Sequence, residues 1–307
     1  MSRDIRSELT RERSPEVLRD HGPALGRDPE RDRVRDREWM RVARVWSPSD
    51  RLTLPHSRER HIVTLHRPTI KLRGSEIELL STVGAFRTIF VRDLEDAGRT
   101  TTPRGDKTRL QDDLYSVRGR GLLETHTLVI CKRPERVAVL TKSGLDLLER
   151  SRRRREHDDP PEQRFYAGIA GARDLTHDAR LYRMFETDRV GLEAEGARVT
   201  RVVLDYELRA DCGVCVDRQI RHGVHPVAAR HACARKHDLP FVEGQIGFPD
   251  VRVEYERADG VHGWRDLELA TEHYSRSRIS GKQSAGFRVY RAASGRSFDA
   301  HHLEWIT

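Results

Sequence analysis

The chain has 307 residues, of which 36% are hydrophobic and 35% are charged, and it carries a formal net charge of +8. This length allows two domains, but so polar a composition predicts that part of the chain has no core of its own. No stretch is apolar enough to span a membrane, and the first residues lack the apolar segment of a secretion signal, so a cytoplasmic location is expected. The basic excess favours nucleic acid over a membrane as the partner.

Residues 1–60 are predicted to be a disordered, charged tail. The segment mixes Arg with Asp and Glu and contains scattered prolines, so it offers few side chains to bury. A tail of this kind would seek DNA or another protein as its partner.

Residues 68–150 have the pattern of a small globular domain. Ser75 and Glu78 have the spacing of a capping box at a helix start, and Thr141 is placed to cap a later helix. The elements predicted in order are helices over 75–84, 91–97 and 107–120, strands over 122–131 and 136–140, and a helix from 142 to about 155.

Three helices, a two-stranded wing and a closing helix give residues 68–150 an order that resembles winged-helix DNA-binding domains. The run Val139–Leu148 is similar to the strand-to-helix exit of those domains. The resemblance implies that the third helix enters the major groove and that the wing contacts the DNA backbone. The candidate DNA-contacting residues are Lys107, Thr108, Arg109, Gln111, Arg118, Lys132, Arg133 and Arg136.

The third helix is expected to bury one face and to expose another that carries both basic and acidic residues. Asp112 and Asp113 lower the positive charge of the outer face. Winged helices also serve as protein-interaction modules, and that alternative stays open. The residues predicted to point inward are Leu110, Leu114, Tyr115 and Val117.

Residues 151–164 are predicted to be a charged linker. Consecutive arginines from Arg152 to Arg155 run into acidic residues and then Pro160–Pro161. The basic cluster either contacts phosphates or ends a solvated helix, and the sequence leaves both roles open.

Residues 165–307 are predicted to form an α/β sandwich around a small mixed sheet, which places the chain in the α+β or α/β class. The first helix begins at Thr176–Asp178 and ends by Gly196. The elements that follow are a strand over 198–204, helices over 205–222 and 226–237, a hairpin, a helix over 276–291 and a strand over 302–306.

Three of the four cysteines belong to a short Cys/His pattern in this second segment. Cys212, Cys215, Cys233 and His237 follow the spacing C-x2-C…C-x3-H, which is found in zinc sites. The same residues fall in the two helices predicted over 205–222 and 226–237, where reduced cysteines commonly fill a core. We favour the core role, and zinc is not the expected cofactor.

The hairpin of residues 248–255 and 264–270 carries the strongest functional signal. Apolar and charged residues alternate on both arms. A three-residue connection with Gly260 in the left-handed conformation places Asp250 opposite Glu268, whereas a shift by one residue would set apolar residues beside carboxylates. Opposed carboxylates repel unless solvent or a cation intervenes, so a solvated sheet face and a metal site both stay open.

Pro249–Asp250 and Glu268–Ala270 resemble the motif of the PD-(D/E)XK, or restriction-endonuclease-like, fold. The resemblance implies that Asp250 and Glu268 bind Mg²⁺ for phosphodiester hydrolysis. Active nucleases of this fold usually carry Lys where this chain has Ala270, so Lys282 on the following helix is the candidate third catalytic residue.

Four more residues lie near this candidate site in the predicted fold. Asp178 or Glu186 on the first helix would add a ligand, with surface or capping roles as the alternative. His177 and His273 flank the site, and either would serve equally as a hydrogen-bonding residue within the domain.

The two segments together are similar to the replication-relaxation proteins of plasmids and other mobile elements. The residues that carry this likeness are Thr176–Asp178 and Asp266–Tyr274, in addition to the winged-helix order. The likeness implies a DNA-binding protein with a degenerate nuclease-like domain, and Ala270 leaves its enzymatic activity open. The alternative is a non-catalytic transcriptional regulator or replication accessory factor, which uses the second domain to form a homodimer or to clamp DNA.

Overall fold

The structure is a computed structural model, and it describes residues 46–49, 52–53, 60–64, 69–101, 107–130, 133–153, 162–169, 175–271, 274–292 and 303–306. At several helix and strand ends the backbone alone is described. All of these residues belong to one compact unit, Arg44–Thr307. The described part contains eight helices and four β-sheets, and its fold class is α+β.

The first half of this unit combines four helices with two small antiparallel sheets. One sheet is a hairpin of β1 and β2, and the other has the strand order β3-β5-β4. The elements are β1 (Arg60–Thr64), β2 (Thr69–Arg73), α1 (Gly74–Phe86), β3 (Thr88–Phe90), α2 (Val91–Thr101), α3 (Lys107–Gly119), β4 (Leu123–Ile130), β5 (Arg133–Leu140) and α4 (Lys142–Arg150).

Local capping explains where two of these helices begin. The Thr141 hydroxyl accepts a hydrogen bond from the Gly144 amide at 3.0 Å, as the sequence predicts for α4. The capping box predicted at Ser75 and Glu78 is wrong, because Glu76 instead accepts the Arg73 amide at 2.7 Å. Helix α1 therefore begins at Gly74, directly after strand β2.

The second half is built around a five-stranded mixed sheet with the order β12-β11-β10-β9-β6. Strands β10 and β11 are parallel, and the other neighbours are antiparallel. The elements are α5 (Leu175–Ala194), β6 (Ala197–Leu204), α6 (Asp205–Arg221), α7 (Pro226–Lys236), β7 (Phe241–Val242), β8 (Gln245–Ile246), β9 (Val251–Arg257), β10 (His262–Ala270), α8 (Arg276–Ser284), β11 (Arg288–Ala292) and β12 (Leu303–Trp305).

One predicted element is wrong in this half, since residues 276–291 do not form a single helix. Helix α8 ends at Ser284, and Gly286 has a φ of +89°, a conformation that ends helices readily. Val289 and Tyr290 are then buried in β11, where they lie beside the central strand β10. Their β-branched and aromatic side chains favour a strand over a helical end.

A single hydrophobic core extends through both halves of the unit. The Phe86 ring of α1 lies 5.1 Å from both the Tyr182 and Phe185 rings of α5. The Trp46 ring packs 4.8 Å from Phe185. The two predicted domains, residues 68–150 and 165–307, therefore share core contacts with each other.

Parts of the predicted tail and linker are also packed into this unit. Trp46 and Leu52 are 7% and 1% exposed, so the prediction of a disordered tail over 1–60 is wrong for them. Gln163 is buried and its side chain bonds the amide and carbonyl of Val202 on β6. Within the predicted tail the structure describes residues 46–49, 52–53 and 60, and the other tail residues lie outside the description.

Within the described part of the chain, none of the helices combines the length and apolar character needed to cross a membrane.

An ion pair between Asp93 on α2 and Arg183 on α5 joins the two halves. The Asp93 side chain is 3% exposed, and the Arg92 guanidinium lies 3.6 Å away. Burial raises the pKa of Asp93 to about 6, although both arginines oppose that shift. The carboxyl group is therefore harder to ionise in the folded protein than in the unfolded chain.

Asp93→Asn is expected to change the pH dependence of stability. Because the folded-state pKa lies above the unfolded value, Asp93 favours folding most at low pH, and this contribution is lost as pH rises through about 6. Relative to the variant, the wild type should lose about 2 kcal/mol of unfolding free energy between about pH 4 and pH 7. Urea unfolding at several pH values measures the difference.

Asp217→Asn, at an exposed position on α6 outside this ion pair, is the control and should leave the pH dependence of stability nearly unchanged. A difference between wild type and Asp93→Asn that stays constant with pH would contradict the assignment.

Candidate functional site

The β9–β10 hairpin has the register that the sequence predicts. Val251 pairs with Leu267 and Tyr255 with Gly263. The Arg257 amide donates to the Val261 carbonyl at 2.9 Å, and Gly260 has a φ of +81°, which closes the predicted three-residue turn. In this register Asp250 lies beside Glu268, on the strand next to it.

The charged face of the hairpin is covered by protein and is not the solvated sheet face that the sequence leaves open. The Arg252 guanidinium bonds both oxygens of Asp266, at 2.7 and 2.8 Å. It also donates to the carbonyls of His237 and Asp238, at the end of α7. Arg252, Asp266 and Glu268 are 7%, 8% and 2% exposed, so this face is a buried polar layer.

Asp250 is held from both sides at the start of β9. Its Oδ2 accepts the Leu269 amide at 2.7 Å and lies 3.3 Å from His177 Nε2. His177 comes from the first turn of α5, and its Nδ1 lies 3.7 Å from Asp178. Burial alone would lower the pKa of His177, but the two carboxylates raise it to about 10. The imidazolium form is thus the one that faces Asp250 at neutral pH.

Glu268 is the most buried carboxylate of the site. Its Oε1 accepts the Tyr274 hydroxyl at 2.7 Å and the Lys282 ammonium at 2.9 Å. Burial, followed by the charge of Asp250, raises the pKa of Glu268. Its Oε2 is buried and has no hydrogen-bond partner among the described residues.

Lys282 reaches the two carboxylates from the next helix, α8. Besides pairing with Glu268, its Nζ donates to the Phe248 carbonyl at 3.0 Å. Phe248 lies two residues before Asp250, so the contact holds Lys282 against the start of β9. The sequence names Lys282 as a candidate, and the structure brings it to Glu268.

This arrangement fits the donor set of a hard cation. Mg²⁺ is commonly bound by one or two carboxylates, with water and substrate phosphate completing its shell. A buried carboxylate oxygen without a partner carries a free-energy cost that a bound cation would remove. Asp250 and the free Oε2 of Glu268 are the oxygens available on adjacent strands.

The other predicted ligands contribute less to this site. Glu186 is bonded by Arg189 at 2.8 Å, which commits its carboxylate to a neighbour on α5. Asp178 contacts His177 and reaches the site only through that imidazole. His273 lies outside the described residues. Tyr274 was missed by the sequence analysis, although its place four residues after Ala270 puts it near Glu268.

A second cluster of ligand types lies between α6 and α7. Among the described residues, it is the single group of three or more His, Cys, Asp or Glu whose ligand atoms all lie within 4.8 Å of one another. Its members are Cys212, Cys233 and His237. Cys212 and Cys233 are buried, as the core role predicts.

The predicted DNA-contacting residues are placed on α3 and on the β4–β5 hairpin. Gln111 and Arg118 are exposed on α3, and Arg133 and Arg136 are exposed on β5. The backbone of Lys107, Thr108 and Arg109 forms the first turn of α3, but the side chains of these three residues are not described. Lys132 lies outside the described residues.

Two side chains of α3 differ from their predicted orientation. Tyr115 is 80% exposed, so its prediction as an inward residue is wrong. Leu114 and Val117 are buried and fill the inner face without it. Asp113 is also buried and pairs with Arg73 at 3.4 Å, which leaves Asp112 as the acidic residue on the exposed face.

The exposed face of α3 therefore carries an aromatic residue between polar and basic ones. Gln111, Tyr115 and Arg118 are spaced by four and three residues and lie on one side of the helix. The spacing of these three residues can be read from the sequence, but the side of α3 that packs against the core cannot.

No known family model matches the sequence, and neither a curated protein nor a solved structure matches it.

Proposed function

We propose that the chain is a DNA-binding protein of the replication-relaxation type that cleaves phosphodiester bonds at Asp250, Glu268 and Lys282. The observation that carries the proposal is the 2.9 Å contact between Lys282 Nζ and Glu268 Oε1. Lys282 thus brings an amine to Glu268, the carboxylate beside Asp250, where the Lys position of the motif is occupied by Ala270.

The strand order supports the nuclease-like part of the proposal. Strands β6, β9 and β10 are antiparallel neighbours, with α6, α7, β7 and β8 inserted between β6 and β9, and β11 lies parallel to β10 after helix α8. Together with α5, which precedes β6 in the chain, this order supports the proposed restriction-endonuclease-like fold. In this layout Asp250 and Glu268 lie on adjacent strands, and α8 presents Lys282 from the following crossover.

The chemical roles follow from the positions of the side chains. Asp250 and Glu268 would hold Mg²⁺, which when bound stabilises charge on the scissile phosphate and makes its water more acidic. Lys282 Nζ would orient the attacking water and offset phosphate charge. Tyr274 holds Glu268 in place through its hydroxyl, and the Leu269 amide does the same for Asp250.

The DNA-binding part rests on the first half of the unit. The order α1-β3-α2-α3-β4-β5-α4, with β5 between β3 and β4, supports the proposed winged helix. Exposed Gln111, Tyr115 and Arg118 on α3 are a hydrogen-bonding, an aromatic and a basic group suited to bases and phosphates. Arg133 and Arg136 would accompany them from the wing.

The test is cleavage of supercoiled plasmid DNA with Mg²⁺, with Mn²⁺, and with a chelator. The wild type is expected to nick or linearise the plasmid with either metal and to be inactive with the chelator. Asp250→Ala and Glu268→Ala should abolish cleavage while gel-shift affinity persists. Asp217→Ala, an exposed carboxylate on α6, is the matched control and should cleave as the wild type does.

Absence of cleavage by the wild type, with DNA binding intact in all variants, would overturn the nuclease proposal. That result would assign the chain to the non-catalytic class, a regulator or replication accessory factor. Ala270 and the engagement of Asp250 by His177 are the two observations that favour this second candidate.

Tyr115→Ala is expected to weaken DNA binding by about tenfold without changing protein stability. Its side chain is 80% exposed, so its removal costs little packing, whereas a hydrogen bond from its hydroxyl to a DNA phosphate is worth about 1.5–3 kcal/mol. Fluorescence anisotropy with a short duplex measures the dissociation constant.

Arg118→Ala should instead lower the slope of affinity against salt concentration by about one, as expected for one phosphate contact. Val190→Ala, at an exposed position on α5, is the control for surface truncation. Unchanged affinity in Tyr115→Ala and Arg118→Ala would place the DNA contact elsewhere.

A further inference from the structure

Helices α6 and α7 share a small hydrophobic core with the residues around them. The 17 residues of α6 bury Glu207, Leu208 and Cys212, and the 11 residues of α7 bury Ala229, Cys233 and Ala234. Val214 and Val227 remain 58% and 41% exposed on the same helices. Because burial free energy scales with apolar area, these few buried side chains stabilise the helical pair modestly, and a metal would add a further link between the two helices.

The cysteines of this pair converge from both helices onto one histidine. Cys212 and Cys215 are three residues apart on α6 and share one helix face. Cys233 lies on α7, and His237 is the C-cap residue that follows the last turn of that helix. The ligand atoms of Cys212, Cys233 and His237 lie within 4.8 Å of one another. Cys215 lies outside this group of three, but it is three residues from Cys212 on α6, and its Sγ accepts the Gln219 side-chain amide at 3.7 Å.

We infer that Cys212, Cys215, Cys233 and His237 form a zinc site that ties α6 to α7. Three thiolates and one imidazole are the ligand set of tetrahedral structural zinc sites. Ligand atoms around zinc are roughly 3.5–3.8 Å apart in that geometry, so the observed cluster needs to contract by about 1 Å. Two ligands from each of two facing helices allow this contraction by side-chain rotation.

The ligand types select the metal. Thiolate sulfur is soft and favours zinc over Mg²⁺, which prefers oxygen. The site is therefore chemically separate from the carboxylates of Asp250 and Glu268. Cys212, Cys215 and Cys233 are free thiols in the structure, so no disulfide replaces the metal as the link.

The site would also steady the hairpin that holds the candidate catalytic residues. The backbone carbonyl of His237 accepts a hydrogen bond from Arg252 on β9, and Arg252 lies two residues from Asp250. Zinc bound at His237 would therefore fix one of the groups against which the buried polar layer packs.

The metal content of the purified full chain tests the inference. Protein purified without chelators from zinc-supplemented cells should contain about one zinc ion per chain, as expected for one structural site. After exchange for Co²⁺, the protein should show the intense visible bands and thiolate charge-transfer absorption of a tetrahedral site. Cys212→Ser, Cys233→Ser and His237→Ala should lose at least about nine-tenths of the bound metal.

Matched controls separate this result from general loss of structure. Cys131→Ser removes the thiol outside the pattern, and His231→Ala removes another imidazole of α7, so both should retain the zinc. Asp250→Ala and Glu268→Ala should also retain it. If Cys233→Ser does not fold, the partly exposed Cys215→Ser carries the same test through its Co²⁺ spectrum.

Two outcomes would overturn the inference. One is a wild-type chain that contains no zinc and gives no tetrahedral Co²⁺ spectrum. The other is retention of full zinc content by folded Cys215→Ser and His237→Ala.

Discussion

Lys282→Met is expected to slow Mg²⁺-dependent DNA cleavage by about 100-fold, while DNA affinity changes by less than about twofold. Methionine has a similar length and volume but carries no ammonium to orient water or offset phosphate charge. Lys282 contacts Glu268 and the Phe248 carbonyl, so its charge lies at the carboxylates. Single-turnover cleavage rates and anisotropy titrations measure the two quantities.

The expected change lies in kcat, because Lys282 acts on the reacting groups and not on DNA docking. Lys236→Met, at an exposed position on α7, is the matched control and should cleave at the wild-type rate. Lys282→Arg should recover part of the activity, since it keeps the positive charge. Wild-type cleavage by a folded Lys282→Met would show that this amine has no role in the reaction.

Arg252→Met is expected to lower the free energy of unfolding by about 3–5 kcal/mol. The substitution would leave the Asp266 carboxylate, which is 8% exposed, without its bidentate partner. It would also leave the carbonyls of His237 and Asp238 without a donor. Chemical denaturation, followed by circular dichroism, measures the loss.

A second substitution separates the cost of an unpaired charge from the cost of lost packing. In the double variant Arg252→Met, Asp266→Leu, no buried charge is left unpaired, so a large part of the stability should return. Arg198→Met breaks the more exposed pair with Glu256 on the same sheet and should cost less than about 1 kcal/mol. Equal losses in Arg252→Met and Arg198→Met would contradict the buried-layer description.

Local patterns were sufficient to predict the helices, at least in part, and half of the described strands; β1, β2, β3, β7, β8 and β11 were not predicted. Helix α3 is predicted over 107–120 and observed over Lys107–Gly119, and the β9–β10 register was predicted from alternation and a glycine turn. Errors occurred where a neighbour in space decides the conformation. Strand β11 exists because it pairs with β10, and Trp46 is ordered because Phe185 covers it.

The sequence predicted the part of the candidate site that depends on local geometry, but it did not predict the contacts that depend on tertiary packing. Asp250 and Glu268 are close because hairpin geometry is local, and the sequence encodes it. The contact of Lys282 with Glu268, and that of His177 with Asp250, depend on how helices pack against the sheet. Tyr115 was predicted to point inward because a helical pattern identifies apolar side chains. The pattern does not show how many of those side chains the core has room to bury.

By itself, the sequence determined most of the helices, the β9–β10 register and the basic, polar character of the chain, since these depend on neighbours along the backbone. The tertiary structure decided which charged groups are buried together. It covers the acidic face with α7, joins Lys282 to Glu268, and gathers Cys212, Cys233 and His237 within 4.8 Å. The physical reason is that burial and ion pairing act between residues distant in sequence, and spacing along the chain does not encode their separation in space.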